Sequence, residues 1–366
     1  MDRRIFLKSS AAALASLTIL PGWSNASIQH HRWLTGFRNP SGHYGAAFID
    51  RDLNAVPILS SSLRLHDVLL SPNGQDIVAP ARRPGDLLWI ARSNGEVQTV
   101  HSPADRHYFG HGAFSPDGST LFIAENDFDN ERGVIGVYDV SADYKRIDEF
   151  YSNGIGPHEL RLMPDGKHLM IANGGILTHP NTGRAKLNLD NMAPNLTMLS
   201  LETGKIRDHA QLRDNWHQLS IRHFAITPRG EVIFGVQDQQ KPYSERPMVG
   251  IWKPGSTPHL FKAPKHGWKP FNGYIGSIAI DKSGAIAAAA SPRGGITAFW
   301  DVSTGLVISE HTAPDVCGVA QSTKAGNFLL TTGQGTLMEI SIDAKGYSVH
   351  RKNSAKLNFD NHCHFV

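Results

Sequence analysis

Histidine is the residue type whose placement here could do chemistry. The chain holds 19 among its 366 residues, and five of them recur at one place in a repeated pattern. Aligned on a recurrent turn, the pairs that precede successive apolar runs are His66-Asp67, Gly110-His111, His158-Glu159, Arg222-His223, Gly276-Ser277 and Cys317-Gly318. The C-terminus adds His362-Cys363-His364. Imidazoles suit copper, zinc, iron and nickel, and a thiolate favours the softer ions. The expected ligand set is therefore His66, His111, His158, His223 and His362 or His364, with Cys317 near enough to complete a mixed nitrogen–sulfur site. Asp67 and Glu159 are expected as further ligands or as the carboxylates that orient an imidazole from behind. Two other readings stay open: a structural ring of polar contacts between repeats, and proton or anion chemistry. The columns are also offset by one residue between repeats. Because neighbouring residues of a strand face opposite ways, some of these histidines are expected to point between repeats.

Cys317 and Cys363 are the only cysteines. A disulfide, two buried thiols and metal ligation all remain open for them, the first because an oxidising compartment favours it. Glu125-Asn126-Asp127-Phe128-Asp129-Asn130-Glu131-Arg132-Gly133 packs carboxylates closely, but their spacing does not fit an EF-hand loop. A solvated loop is the expectation there. There is no G-x-S-x-G, P-loop or G-x-G-x-x-G pattern, so the common hydrolase and nucleotide-binding signatures are missing.

The elements that must position the histidines are strands. Six turns punctuate the chain: Ser71-Pro72-Asn73-Gly74, Ser115-Pro116-Asp117-Gly118, Met163-Pro164-Asp165-Gly166, Thr227-Pro228-Arg229-Gly230, Asp281-Lys282-Ser283-Gly284 and Thr323-Lys324-Ala325-Gly326. Proline presets φ for the second turn position, and glycine accepts the positive φ that follows. Apolar runs flank each turn, as in Phe224-Ala225-Ile226 before one and Leu121-Phe122-Ile123-Ala124 after another. The glycines are 44, 48, 64, 54 and 42 residues apart, and a four-stranded propeller blade takes about 40 to 50 residues. The fold class predicted is all-β, a seven-bladed β-propeller spanning residues 30–366 as one domain. The two long steps place inserts near 176–194 and 237–247. Six turns make six blades; the seventh is split. Its inner strand would be Phe359 to Val366, and its outer strands Trp33 to Gly36, Tyr44 to Asp50 and Ala55 to Leu59. Closing the ring this way removes exposed sheet edges. Inner strands surround the central channel, so the recurrent histidines would converge there.

Composition agrees with a turn-rich globular protein, with 40% hydrophobic residues and 35 glycines. The net charge of +3 comes without a basic stripe, which argues against a nucleic-acid partner. Residues 1–26 read as a twin-arginine signal peptide: Arg3-Arg4-Ile5-Phe6-Leu7-Lys8, a short apolar stretch from Ser9 to Leu20, then the small-residue site Ser24-Asn25-Ala26. The expected location is the periplasm, by a route that exports folded proteins. His30-His31 would be an exposed tail after cleavage. No other run is long and apolar enough for a membrane helix, so stable membrane insertion is not expected.

Several motifs together resemble a known exported proteobacterial family. They are Glu125-Asn126-Asp127-Phe128 with Arg132 to Tyr138, Gly156-Pro157-His158-Glu159-Leu160, Ala172-Asn173-Gly174-Gly175-Ile176, Thr178-His179-Pro180 and Gly183-Arg184-Ala185-Lys186-Leu187-Asn188-Leu189-Asp190. Ser291-Pro292-Arg293-Gly294-Gly295, Asp315 to Ala320 and Asp360-Asn361-His362 fit as well. The chain is similar to the domain of unknown function numbered 1513. The resemblance implies a YVTN- or WD40-like propeller and a genomic context of imelysin-like periplasmic proteins and a dihaem oxidoreductase, hence iron acquisition. It implies no activity. It draws His179, Arg184, Lys186, Asp190 and Arg293 forward as a binding loop over the channel mouth.

The sequence therefore supports a periplasmic propeller that binds iron or copper through channel histidines. The alternatives are a scaffold that docks a partner of the same uptake system, and a propeller enzyme, either a lactonase-like hydrolase or an oxidoreductase.

Overall fold

A computed structural model of the chain describes residues 17–20, 31–183, 185–241, 245–343 and 346–366. Among these described residues it is all β apart from four single-turn 3-10 helices. Seven antiparallel sheets follow one another, six of them formed in sequence order from the axis outward. Blade one comprises Leu69–Leu70, Asp76–Pro80, Leu87–Arg92 and Val97–His101. Blades two to six begin on the inner strands Arg106–Phe114, Pro157–Leu162, Leu219–Ile226, Ser277–Ile280 and Val316–Gln321.

The six repeat glycines, Gly74, Gly118, Gly166, Gly230, Gly284 and Gly326, all have φ between 65° and 84°. A side chain at these positions would be strained, which is why the turn residue recurs.

The seventh blade is split as the termini suggested. Its inner strand Asn358–Phe365 pairs with His31–Arg38, which is followed by Tyr44–Asp50 and Ala55–Ser61. Thr35 sits opposite Cys363, and its hydroxyl donates to the His362 carbonyl at 2.7 Å. A further strand, Leu17–Ile19, lies outside Ala55–Ser61. It belongs to the segment read as a leader, and without it this blade has four strands like the other six. Arg3-Arg4, the cleavage site at Ser24-Asn25-Ala26 and His30 lie outside the described residues.

The blades are held by apolar clusters between them, because each sheet has two faces to bury. Leu34, Phe48 and Ile58 of blade seven pack with Ile77 and Trp89 of blade one. Corresponding clusters join blades one to two, two to three, five to six and six to seven. The largest runs through blades three, four and five and contains Trp268 stacked on Trp300. Every interface of the ring is thus filled.

The insert 176–194 separates the second and third strands of blade three, His168–Asn173 and Asn195–Ser200. The insert at 237–247 separates the corresponding strands of blade four; residues 242–244 lie outside the described ones. Blade four owes more of its length to Phe261–Gly276, which carries the 3-10 turn Lys269–Phe271 and the buried Trp268 and Phe271.

Asp129, Asn130 and Glu131 form the exposed turn expected of the acidic segment, but the residues before Phe128 do not. Glu125, Asn126 and Asp127 end a buried strand with no exposure at all. Glu125 accepts from Tyr138 Oη at 2.5 Å and pairs with Arg146 at 2.8 Å. Asp127 pairs with Arg106 at 2.9 Å and Arg132 at 2.6 Å. Glu149 bridges the three arginines. Buried carboxylates are retained because cations from other strands neutralise them.

Candidate metal centre

The one-residue offsets between repeats are cancelled by β-bulges. Register slips between Tyr108 and Gly112, Pro157 and Leu160, Ile221 and His223, and Phe359 and Cys363. In blade one it slips between Leu65 and Leu69. Each slip contains or adjoins one of the channel histidines. A bulge turns a side chain that alternation would send elsewhere. Blade five keeps its register through Ser277–Ile280 and contributes no histidine.

All five histidines consequently meet on the axis. His66, His158, His223 and His362 form a closed ring with successive centroid separations of 5.3, 4.8, 5.2 and 5.0 Å. His111 lies against all four, at 4.7 Å from His66 and His158, 6.0 Å from His223 and 4.4 Å from His362. Ring nitrogens of His66, His111 and His362 come within 4.8 Å of one another, as do those of His111, His158 and His223. Two nitrogens on one ion at about 2.1 Å stand no more than roughly 4.2 Å apart, so small side-chain rotations would close either set on an ion.

Hydrogen bonding leaves donors for that purpose. His111 Nδ1 is 3.0 Å from Asp67 Oδ2, and His223 Nδ1 is 3.2 Å from Glu159 Oε2. His66 Nε2, His111 Nε2 and His158 Nδ1 are buried with no hydrogen-bond partner. Orphaned buried polar atoms are rare in folded proteins and call for a reason. Burial first, and His111 second, push His66, His158 and His362 well below the ordinary imidazole value. Burial also lowers His223, against the pull of Glu159. A lowered value favours the neutral ring, the form that ligates. Burial alone would raise the Asp67 carboxyl, but His364 and His111 outweigh it and hold it well below its usual range. Arg161 and His223 do the same for Glu159.

The remaining expected residues separate into groups. His364 is not in the ring; its Nε2 lies 2.5 Å from Asp67 Oδ1, on the far side of the carboxylate from His111. Cys317 is outside both nitrogen clusters. Its thiol points at the carbonyls of Phe359 and Asp360, at 3.3 and 3.4 Å, and burial pushes it far up. Its own inner strand is bulged, between Val316 and Gly318, and that turns the thiol into the wall. Cys317 and Cys363 are free thiols in one apolar cluster. His179 caps the 3-10 turn Pro180–Thr182 and stands edge-on to Phe128 at 5.2 Å. Asp190 is exposed on the turn Leu189–Asn191. Arg184 lies outside the described residues.

The ring lies between two vestibules. One is a cavity of about 400 Å³ whose floor is His66, His158, His223 and His362, and whose walls include Lys186 and Arg293. The other, about 590 Å³, is lined by Asp67, Glu159, Arg161 and His364. His111 lines neither and joins the ring to the second side through Asp67.

Comparison with known proteins assigns the chain to a family. Residues 60–366 match the family described as "Protein of unknown function (DUF1513)". The chain belongs to that family. No curated protein matches the sequence. Among solved structures, family membership is accompanied by likeness in fold alone. The Kuenenia stuttgartiensis hydrazine synthase is similar at a TM-score of 0.59 and 13% identity, over 87% of this chain and 95% of that one. The mitotic checkpoint complex contains a chain similar at 0.58 and 14%, over 80% of each. This member of the DUF1513 family is thus a seven-bladed propeller with five imidazoles gathered on its axis.

Proposed function

We propose that this protein is an exported metal-binding propeller whose channel imidazoles take one divalent transition ion, with copper and iron the leading choices. The observation that carries the reading is the set of three orphaned ring nitrogens, on His66, His111 and His158, buried among imidazoles. A nitrogen-rich site suits copper, nickel, zinc and iron, and copper(II) ranks highest in intrinsic affinity. Asp67 and Glu159 would fix the rings of His111 and His223 and offset the ion's charge through them. A structural polar ring accounts less well for the site, since it would have paired those nitrogens.

The twin-arginine reading of residues 1–26 fits this function, because export after folding lets an ion enter a closed ring first. The family resemblance suggests service in periplasmic iron or copper handling beside imelysin-like or dihaem proteins.

Two experiments test the proposal. The full chain is exported in a native host, purified without chelator and analysed for metal, then titrated with Cu(II), Fe(II), Ni(II) and Zn(II). One ion per chain, lost in His111→Ala, is the expected result. A metal-free protein whose melting temperature ignores all four ions defeats the proposal. For export, Arg3→Lys with Arg4→Lys should leave the protein in the cytoplasmic fraction.

A further inference from the structure

The cavity above the ring has a composition that metal binding does not require. Its lining carries Arg82, Arg83, Lys186, Arg222, Lys241 and Arg293, with Arg64 further round the rim. Among the described residues of that lining, the carboxylates are Asp238 and Asp360. Both are engaged by arginines: Asp360 by Arg64 at 2.7 Å and Asp238 by Arg246 at 2.6 Å. The remaining lining is polar or aromatic, including Asn361, Gln237 and Tyr274.

The origin of these cations is systematic. Arg83, Lys186, Lys241 and Arg293 all lie on loops joining the second strand to the third, in blades one, three, four and five. Equivalent loops of a propeller open on the same face, so residues far apart in sequence surround one mouth. Arg222 comes up from the inner strand of blade four, where it is buried. Tyr274 supports Arg293, whose guanidinium lies 4.3 Å over its ring. Phe109 does the same for Arg83 at 5.9 Å. Lys186 feels its neighbours: burial first, then Arg222, Arg293, Arg83 and Lys241, lower its pKa. Cations gathered round one partly closed space give it a positive potential that draws anions in.

We infer that this cavity binds a small organic polyanion, a molecule carrying two or more carboxylate or phosphate groups, directly above the histidine ring. Arginine predominates, and its planar fork matches both oxyanions with paired hydrogen bonds. The cations stand on loops of four blades around a cavity of about 400 Å³, within the range of small-molecule sites. Cations spread over the loops of four blades suit a molecule with more than one oxyanion group. The anion site stands whether or not the ring takes a metal. Where it does, an oxygen of the anion is placed to face the ion from the open side.

The test uses the full chain stripped of metal, with isothermal titration at pH 7 and low salt. Citrate and a sugar bisphosphate are the multi-group probes; acetate and inorganic phosphate are the single-group controls. At least one multi-group probe should bind once per chain, about tenfold or more tighter than its control, and weaken as salt rises. Which of the two wins identifies the oxyanion. Arg293→Gln and Lys186→Gln should each weaken that probe about tenfold. Both residues are exposed, so folding is expected to persist, and circular dichroism with thermal melting checks it. The inference is overturned if neither multi-group probe binds, if the controls bind equally well, or if the folded variants bind like the parent. Metal binding, titrated separately on the same samples, keeps failure of this site distinct from failure of the ring.

Discussion

Asp67 Oδ2 holds His111 Nδ1 at 3.0 Å and thereby turns the ring's buried Nε2, which has no partner, toward the other imidazoles. The same carboxylate takes His364 on its second oxygen at 2.5 Å. One buried acid thus sets the orientation of the most central histidine. Asp67→Asn removes the charge while keeping the size. It should leave the fold intact and weaken Cu(II) or Fe(II) about 10- to 100-fold, the usual cost of losing a ligand's supporting group. Metal titration followed by spectroscopy reads this directly, and unchanged affinity would show that Asp67 only supports the fold.

His66 separates the metal reading from a structural one. It is partly open to the upper cavity, and its Nε2 has no partner to lose. His66→Ala should therefore cost the metal-free protein about 1 kcal/mol or less, in line with a partly exposed site, while reducing metal affinity at least tenfold. A loss of several kcal/mol measured by urea unfolding would instead assign the ring to structure.

Stability of the metal-free protein should decline in acid earlier than carboxylates alone explain. His66, His158, His223 and His362 are held below their ordinary values in the fold. The unfolded chain protonates them near pH 6.5. Below that pH the unfolded state binds more protons, so unfolding becomes easier as pH falls through the interval down to the folded values. Each such histidine contributes a slope of up to about 1.4 kcal/mol per pH unit. Asp67 and Glu159, also lowered, add a loss of the same sign near pH 4 and below. Urea midpoints measured from pH 8 to 5 check the prediction; a flat profile across that range contradicts it.

Deleting Phe359–Val366 should abolish cooperative folding. The deletion removes the inner strand of blade seven and with it the buried Phe359, His362 and Cys363. It also leaves His31–Arg38 as an unpaired edge beside an open ring. Loss of the sharp thermal transition is expected, and a soluble variant that still melts sharply would refute the closure argument.

In blade two, Arg106→Met should destabilise by about 3 kcal/mol, because it strips one cation from the fully buried Asp127. Adding Asp127→Asn should recover part of that loss. Chemical denaturation of the two variants measures the coupling, and additive losses would contradict a shared buried network.

The sequence made the propeller legible because its punctuation is local. A turn such as Ser115-Pro116-Asp117-Gly118 states its own φ requirement, and Gly118 meets it at 72°. The histidine columns were legible for a related reason: repetition carries a residue to the same radius in each blade. The fate of the acidic segment was not, since Glu125 and Asp127 are neutralised by Arg106, Arg132 and Arg146 on other strands. The cationic mouth was half visible in Lys186 and Arg293. Arg83 and Lys241 stand in no motif of their own, and only their place on equivalent loops marks them.

What the sequence by itself determined is the blade count, the split closure and the short set of histidines able to meet. Those follow from turn chemistry and from the period of the repeat, both encoded within a few tens of residues. Only the tertiary structure decided which side chains face the axis. A bulge of one residue reverses a strand's facing, and it is settled by packing against a neighbouring blade. That is why His111 and His362 stand in the ring and Cys317 points into the wall, while His364, two residues further along the strand than His362, meets the far oxygen of Asp67.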